Sequence, residues 1–202
     1  GGTSVADVPQ IKKIALKVKK EVNRGYKVIV VVSAMAGVTN NLIDLVKSSS
    51  ETLNYSEYDV VLSTGEQVTS ALLASALHNL NVKARSWLGW QVPIISDESH
   101  SKAAIEEIKT DNILEFLKKN NVAIISGFQG ISKENRITTL GRGGSDTSAV
   151  AMAAAFSAER CDIYTDVDGV YTTDPRIVKN AKKLNLITYE EMLELASQGA
   201  KV

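Results

Sequence analysis

Five consecutive apolar, β-branched residues, Val28-Ile29-Val30-Val31-Val32, constrain this chain more than any other feature. A strand without a polar face must be covered on both sides, which is the habit of parallel sheets flanked by helices. Its neighbours agree. Upstream, Ile11, Ile14, Ala15, Val18 and Val22 recur at helical spacing, with Asp7 and Gln10 as a capping box and Gly25 as the stop. Downstream, a small-residue loop at 33–37 leads to a helical pattern around Leu42, Ile43 and Val46. A second buried strand, Val122-Ala123-Ile124-Ile125, follows a helix marked by Ile113, Leu114 and Leu117. The alternation predicts an α/β fold with a mostly parallel sheet covered on both faces.

The remaining segments extend this pattern. A long helix is expected after Gly65, with Val68, Leu72, Leu73, Ala76, Leu77 and Leu80 facing the core. Strands are expected near 82–88, 92–95 and 103–108, and a hairpin over 128–140 turning at Lys133-Glu134-Asn135. An Ala-rich helix should follow the glycines at 141–144 and run to about Ala158. Ile163-Tyr164-Thr165 reads as a strand, Asp168-Gly169 as a hairpin turn, and 189–197 as a last helix ended by Gly199.

Composition narrows the class. The 202 residues carry 23 Lys+Arg and 23 Asp+Glu, a formal net charge of zero. That balance argues against nucleic acid or a membrane surface as partner. The longest uninterrupted apolar run, 149–156, is too short to cross a bilayer. One cysteine, Cys161, makes no internal disulfide and suits a reducing, cytoplasmic compartment. Two histidines and one cysteine argue against a structural zinc site.

Three glycine-bearing loops precede helical patterns: Gly1-Gly2-Thr3-Ser4, Ser33-Ala34-Met35-Ala36-Gly37 and Gly141-Arg142-Gly143-Gly144-Ser145-Asp146. Helix N-termini present unpaired N–H groups and partial positive charge, and glycine lets a phosphate approach. None is a P-loop or a Gly-x-Gly-x-x-Gly fingerprint, and the protein-kinase motifs are missing. In the third loop, Arg142 offers a planar fork for carboxylate or phosphate, Ser145 can cap the next helix, and Asp146 falls in its first turn. That helix is apolar on nearly all sides and should be buried.

Two further stretches admit a bland and a functional reading. Ser63-Thr64-Gly65-Glu66-Gln67 makes an ordinary capping box; alternatively Glu66 is the anion that holds a substrate ammonium. Residues 164–176 form a hairpin with a turn at Asp174-Pro175, or a nucleotide edge. In the second case Thr165 and Asp166 meet ribose or base, Tyr171 packs alongside, and Arg176 nears phosphate. Trp87 and Trp90 read as packing residues, and His78 and His100 as bystanders.

Taken in order, Gly1-Gly2-Thr3-Ser4-Val5, residues 33–40 (Ser-Ala-Met-Ala-Gly-Val-Thr-Asn), Ser63-Thr64-Gly65-Glu66-Gln67, Gly127-Phe128-Gln129-Gly130, residues 139–146 and residues 164–176 resemble the aspartokinases of the amino-acid-kinase family. The resemblance covers essentially the whole chain. It implies a three-layer α/β/α sandwich with a mostly parallel central sheet. It also implies transfer of the γ-phosphoryl group of ATP, with Mg²⁺, to the side-chain carboxylate of L-aspartate, opening lysine, threonine, methionine and diaminopimelate synthesis. Carried over by motif, Gly1 and Gly2 would line the ATP phosphates. Ser33, Thr39, Glu66, Arg142, Gly143, Gly144 and Ser145 would surround aspartate. Thr165, Asp166, Tyr171 and Arg176 would contact the nucleotide, and Asp146, with Arg142, would organise catalysis. No protein metal ligand is assigned, since Mg²⁺ keeps waters and leans on phosphates.

The family writes Lys-Phe ahead of its Gly-Gly-Thr-Ser-Val, and its ACT regulatory domains follow the kinase domain. Residues 1–202 are therefore expected to be a catalytic domain cut at both ends, from a protein that is a homo-oligomer at full length. The alternatives are a relative acting on glutamate, acetylglutamate, carbamate or UMP, against which the 142–146 motif argues, and a ligand-binding module without catalysis.

Overall fold

The computed structural model describes residues 1–119, 121–141, 143–167, 169–174 and 177–197. Two units are present, Gly1–Tyr164 and Thr165–Val202.

The first unit opens with a 3-10 turn at Gly2–Val5 and helix α1, Val8–Asn23. The Asp7 carboxylate caps α1 by accepting from the Gln10 N–H at 2.8 Å, as the capping pattern predicts. There follow β1 (Ile29–Val32), α2 (Val38–Ser49), α3 (Tyr55–His78), β2 (Ala84–Trp87), β3 (Ile94–Ser96) and β4 (Ile105–Ile108). Then come α4 (Asp111–Leu117), β5 (Val122–Ser126), β6 (Gln129–Ile131), β7 (Ile137–Thr139) and α5 (Gly144–Ala155).

A parallel sheet runs in the order β1-β5-β2, with β5 in the centre and all five of its residues buried. Its side chains alternate between two cores, as strand geometry requires. Val122 and Ile124 pack with Ile11, Ala15, Val18, Leu73 and Leu77 from α1 and α3. Ala123 and Ile125 pack with Trp87, Ile113, Leu117 and Met152 on the other face, the last three from α4 and α5. Helices therefore cover both faces, the three layers expected of this sequence. The remaining strands form a smaller mixed sheet, β4-β3-β6-β7, whose β6-β7 pair is the expected hairpin.

Several local expectations fail, among them Val68 as a core residue, which is 50% exposed. Helix α3 begins ten residues before Gly65. Asn54 caps it, its side-chain oxygen accepting from the N–H groups of Ser56 and Glu57. The 63–67 stretch is therefore mid-helix and not a capping box. A Cβ on Gly65 would lie 2.8 Å from the Ala34 Cβ, so this glycine sits where α3 meets the 33–37 loop. Ser145 does not cap α5; Gly143, in the left-handed region at φ 74°, holds that position. Helix α5 buries only Gly144, Ser148 and Met152 and leaves Val150 exposed, so it is one-sided. Ile163, Tyr164 and Thr165 join no strand among the described residues. The Tyr164 carbonyl accepts instead from the Gly1 nitrogen at 2.9 Å and the Ser4 hydroxyl at 3.2 Å.

By length and composition α3 could cross a membrane, but half of its most apolar stretch is buried inside the fold, against the sheet and α1. It is a core helix. In the second unit Tyr171 bridges antiparallel to Lys183. Helix α6, Tyr189–Ser197, starts on a reciprocal capping box: Thr188 N–H to the Glu191 carboxylate at 2.9 Å, and Glu191 N–H to the Thr188 hydroxyl at 3.2 Å. The Asp168 half of the expected turn and Gly199 lie outside the described residues.

Candidate active site at the C-terminal edge of the parallel sheet

Parallel β1 and β5 end side by side, and in open α/β sheets that edge is where ligands bind. Past β1 comes the 33–37 loop and the N-terminus of α2, capped by Gly37 at φ 77°. Past β5 comes Gly127, whose N–H donates to the Val32 carbonyl at 3.0 Å. Bulk is excluded from this seam. A Cβ on Gly127 would meet Ser145 and Val31 at 3.0 Å, and one on Gly144 would lie 2.6 Å from the Phe128 ring. A Cβ on Gly2 would lie 3.2 Å from the Ala34 carbonyl oxygen. The structure thus gathers Gly2, Ser33, Ala34, Gly127, Gly144 and Ser145 at one edge. The N–H groups of the first turn of α5 are presented there.

Helix α3 brings a polar stripe to the same edge. Asp59, Ser63, Glu66 and Ser70 recur at intervals of four, three and four residues, and all four are buried. Glu66 is 3% exposed. Its Oε1 accepts from the Ala34 N–H at 3.0 Å, and its Oε2 is buried with no hydrogen-bond partner. Burial pushes the carboxyl up to about 7, while the Ala34 N–H pulls the other way. An unsatisfied buried carboxylate oxygen is costly, and a cation or donor brought to it is correspondingly favoured.

Next to Glu66, the Gln129 side chain donates to the Ser63 carbonyl at 3.0 Å, and the Ser126 hydroxyl donates to that of Ser70 at 3.0 Å. Reading along the chain missed these partners. The four- and three-residue spacing of Asp59, Ser63, Glu66 and Ser70 along one face of the helix was the available signal. His100 is no bystander either, since its Nδ1 lies 2.6 Å from the Asp59 carboxylate. Trp87 is packed edge-on against Phe116, whereas Trp90 is 46% exposed and not a packing residue.

The other expected site residues divide by unit. Ser33 and Thr39 are half-buried, Thr39 in the first turn of α2. Gly143 and Asp146 are exposed at the start of α5. In the second unit the Thr165 hydroxyl donates to Asp166 at 3.3 Å and accepts from the Val167 N–H at 3.5 Å, and Tyr171 is half-buried. Arg142 and Arg176 lie outside the described residues.

The model of the amino acid kinase family matches residues 1–202. The chain belongs to the amino acid kinase family. Among the family's members, an aspartokinase from Rickettsia felis is 58% identical over all of this chain and 51% of its own length. The chain thus spans about half the length of the curated relatives it matches. An aspartate kinase structure from Synechocystis superposes with a TM-score of 0.86 at 49% identity, covering 100% of this chain and 33% of that one. Escherichia coli aspartokinase III, solved in complex with aspartate and ADP, gives a TM-score of 0.85 at 28% identity, covering 98% of this chain and 55% of the other.

Proposed function

We propose that the protein is an aspartate kinase, transferring the γ-phosphoryl group of ATP to the side-chain carboxylate of L-aspartate. The observation that carries this reading is Glu66. A buried carboxylate with one oxygen unsatisfied, beside helix N-termini at a sheet's C-terminal edge, suits a small zwitterion with one cationic end and an anionic remainder. The likeness to relatives named aspartokinase, and to one solved with aspartate and ADP, supports the same substrates.

Each residue has its part in this reading. Glu66 takes the substrate ammonium. Gly143, Gly144 and Ser145, with Arg142, hold carboxylate at the start of α5, and Ser33 and Thr39 close the other side. Gly1 and Gly2 receive phosphate, and Thr165, Asp166, Tyr171 and Arg176 meet the nucleotide. Asp146 orders the catalytic cluster through the first turn of α5. Acceptor and donor are both anionic, so the work is alignment and cancellation of negative charge, with no covalent intermediate on the protein. Mg²⁺ supplies further charge cancellation on the phosphates when bound. The fit is to a glycine-lined seam where a Cβ on Gly2 would crowd the Ala34 carbonyl.

The test is coupled ADP release by the full-length protein with Mg²⁺-ATP, comparing aspartate with glutamate. Aspartate should be preferred. One methylene is worth only ~1–3 kcal/mol, so weak glutamate turnover fits. Equal kcat/KM for the two amino acids overturns the reading.

A further inference from the structure

A second buried cluster stands seven residues before Glu66 on the same face of α3. Asp59 is fully buried, and three groups converge on its carboxylate in four contacts. The Thr139 hydroxyl donates to Oδ1. The Ser101 N–H reaches both oxygens, at 3.0 and 3.1 Å. His100 Nδ1 is 2.6 Å from Oδ2. Ser101 stands in the left-handed region at φ 69°, unusual for a residue with a Cβ. The surrounding loop is closed on itself, because the Asp97 carboxylate accepts from the N–H groups of Ser99 and Ala104. It is also stitched to β7 by the Ala103 N–H donating to the Thr139 carbonyl at 3.0 Å.

Thr139 is the last residue of β7 and feeds the 141–144 loop. Leu140 is 2% exposed, its N–H donates to the Phe128 carbonyl at 2.8 Å, and its Cβ lies 3.0 Å from where a Gly144 Cβ would be. One straight stretch of helix thus grips both sides of the edge. At Glu66 it holds the 33–37 loop through the Ala34 N–H, and at Asp59 it holds the strand that delivers the N-terminus of α5.

We infer that Asp59, through Thr139, is a positioning residue that sets the separation between the Glu66 carboxylate and the α5 N-terminal loop, and so the fit of the amino-acid substrate. This rests on the aspartate kinase reading. Two fixed anion and cation receptors define a length, and an error near ~1 Å in such a length is costly. Without the Thr139 hydroxyl β7 loses its tie to α3 and keeps its backbone pairing and the Thr138–Ser96 hydroxyl contact at 2.6 Å, so the N-terminus of α5 that it delivers can drift.

The experiment measures KM for aspartate, KM for ATP, and Tm in the full-length protein for wild type, Thr139→Val and Thr139→Ser. The valine removes the hydroxyl at nearly constant volume and should raise aspartate KM about tenfold with ATP KM within about twofold of wild type. The serine keeps the hydroxyl and should restore aspartate KM. Where the valine variant does not fold, His100→Gln perturbs the same carboxylate from its partly buried rim and should raise aspartate KM alone, by a few-fold. A fall in Tm with both KM values unchanged makes the cluster a stability feature only and overturns the inference. So does an equal rise in both KM values. Wild-type protein inert on aspartate overturns the functional reading, and this inference with it, whatever the variants do.

Discussion

Replacing Gly65 by alanine separates a glycine kept for contact from one that is merely tolerated. In an exposed helix interior, Gly→Ala stabilises by up to ~1 kcal/mol through backbone entropy and propensity. Here the new Cβ would lie 2.8 Å from the Ala34 Cβ, 3.4 Å from the Val38 Cγ1 and 3.5 Å from the Leu42 Cδ1. The first distance is roughly 0.7–1.2 Å short of an ordinary carbon–carbon contact. The Ala34 Cβ has no rotamer to change, so backbone must move. Overpacking of this kind costs ~1–3 kcal/mol, leaving a net loss of roughly 0–2 kcal/mol after the helix gain. The moving backbone carries the Ala34 N–H, now 3.0 Å from Glu66, out of hydrogen-bond range. Aspartate KM should rise about tenfold with stability lowered or unchanged, since small misplacements in a site are expensive. Chemical denaturation together with the coupled ADP assay reads both. A variant stabilised by ~1 kcal/mol with wild-type KM would refute the packing argument.

Two further outcomes follow from the same site. Glu66 has its carboxyl raised to about 7 from 4.5, so the folded state holds a proton that the unfolded state has released between those values. Its contribution to stability is therefore fully present below about pH 4.5 and is lost as pH rises to about 7, an effect of order 3 kcal/mol at most. Wild-type stability should fall relative to Glu66→Gln across that window and run parallel to it above; a gap that stays constant from pH 4.5 to 8 contradicts the assignment. Arg142→Lys keeps the charge and loses the bidentate fork, so aspartate KM should rise while ATP KM holds; a collapse of ATP affinity with unchanged aspartate KM assigns Arg142 to the other ligand.

Legibility followed the physics of each signal. Val28 to Val32 and Val122 to Ile125 were readable because a strand packed on both faces has no polar alternation to confuse, although in β1 only Val32 is fully buried. The Asp7 cap was readable because its chemistry is local. The start of α3 was not, because Val60, Val61 and Leu62 look strand-like and the 63–67 motif imitates a helix start. The Asn54 cap lay nine residues before Ser63, and Gly65 is explained by its close approach to Ala34, thirty-one residues away in sequence. The same holds for Asp59. A lone aspartate before an apolar run signals nothing until Thr139, Ser101 and His100 arrive from distant segments. Ser145 was misread as a cap for a related reason: the left-handed Gly143 takes that position, and the serine packs on Gly127.

The central claim is that the unsatisfied oxygen of Glu66 receives the substrate ammonium, and steady-state kinetics of Glu66→Gln in the full-length protein test it directly. The glutamine keeps the shape and can still accept from the Ala34 N–H, but it has no charge. Removing one partner of a buried charge pair costs ~2–5 kcal/mol. The account therefore predicts that aspartate KM rises at least about thirtyfold while ATP KM stays within about twofold. Wild-type aspartate KM in this variant, or a loss confined to ATP, would contradict it.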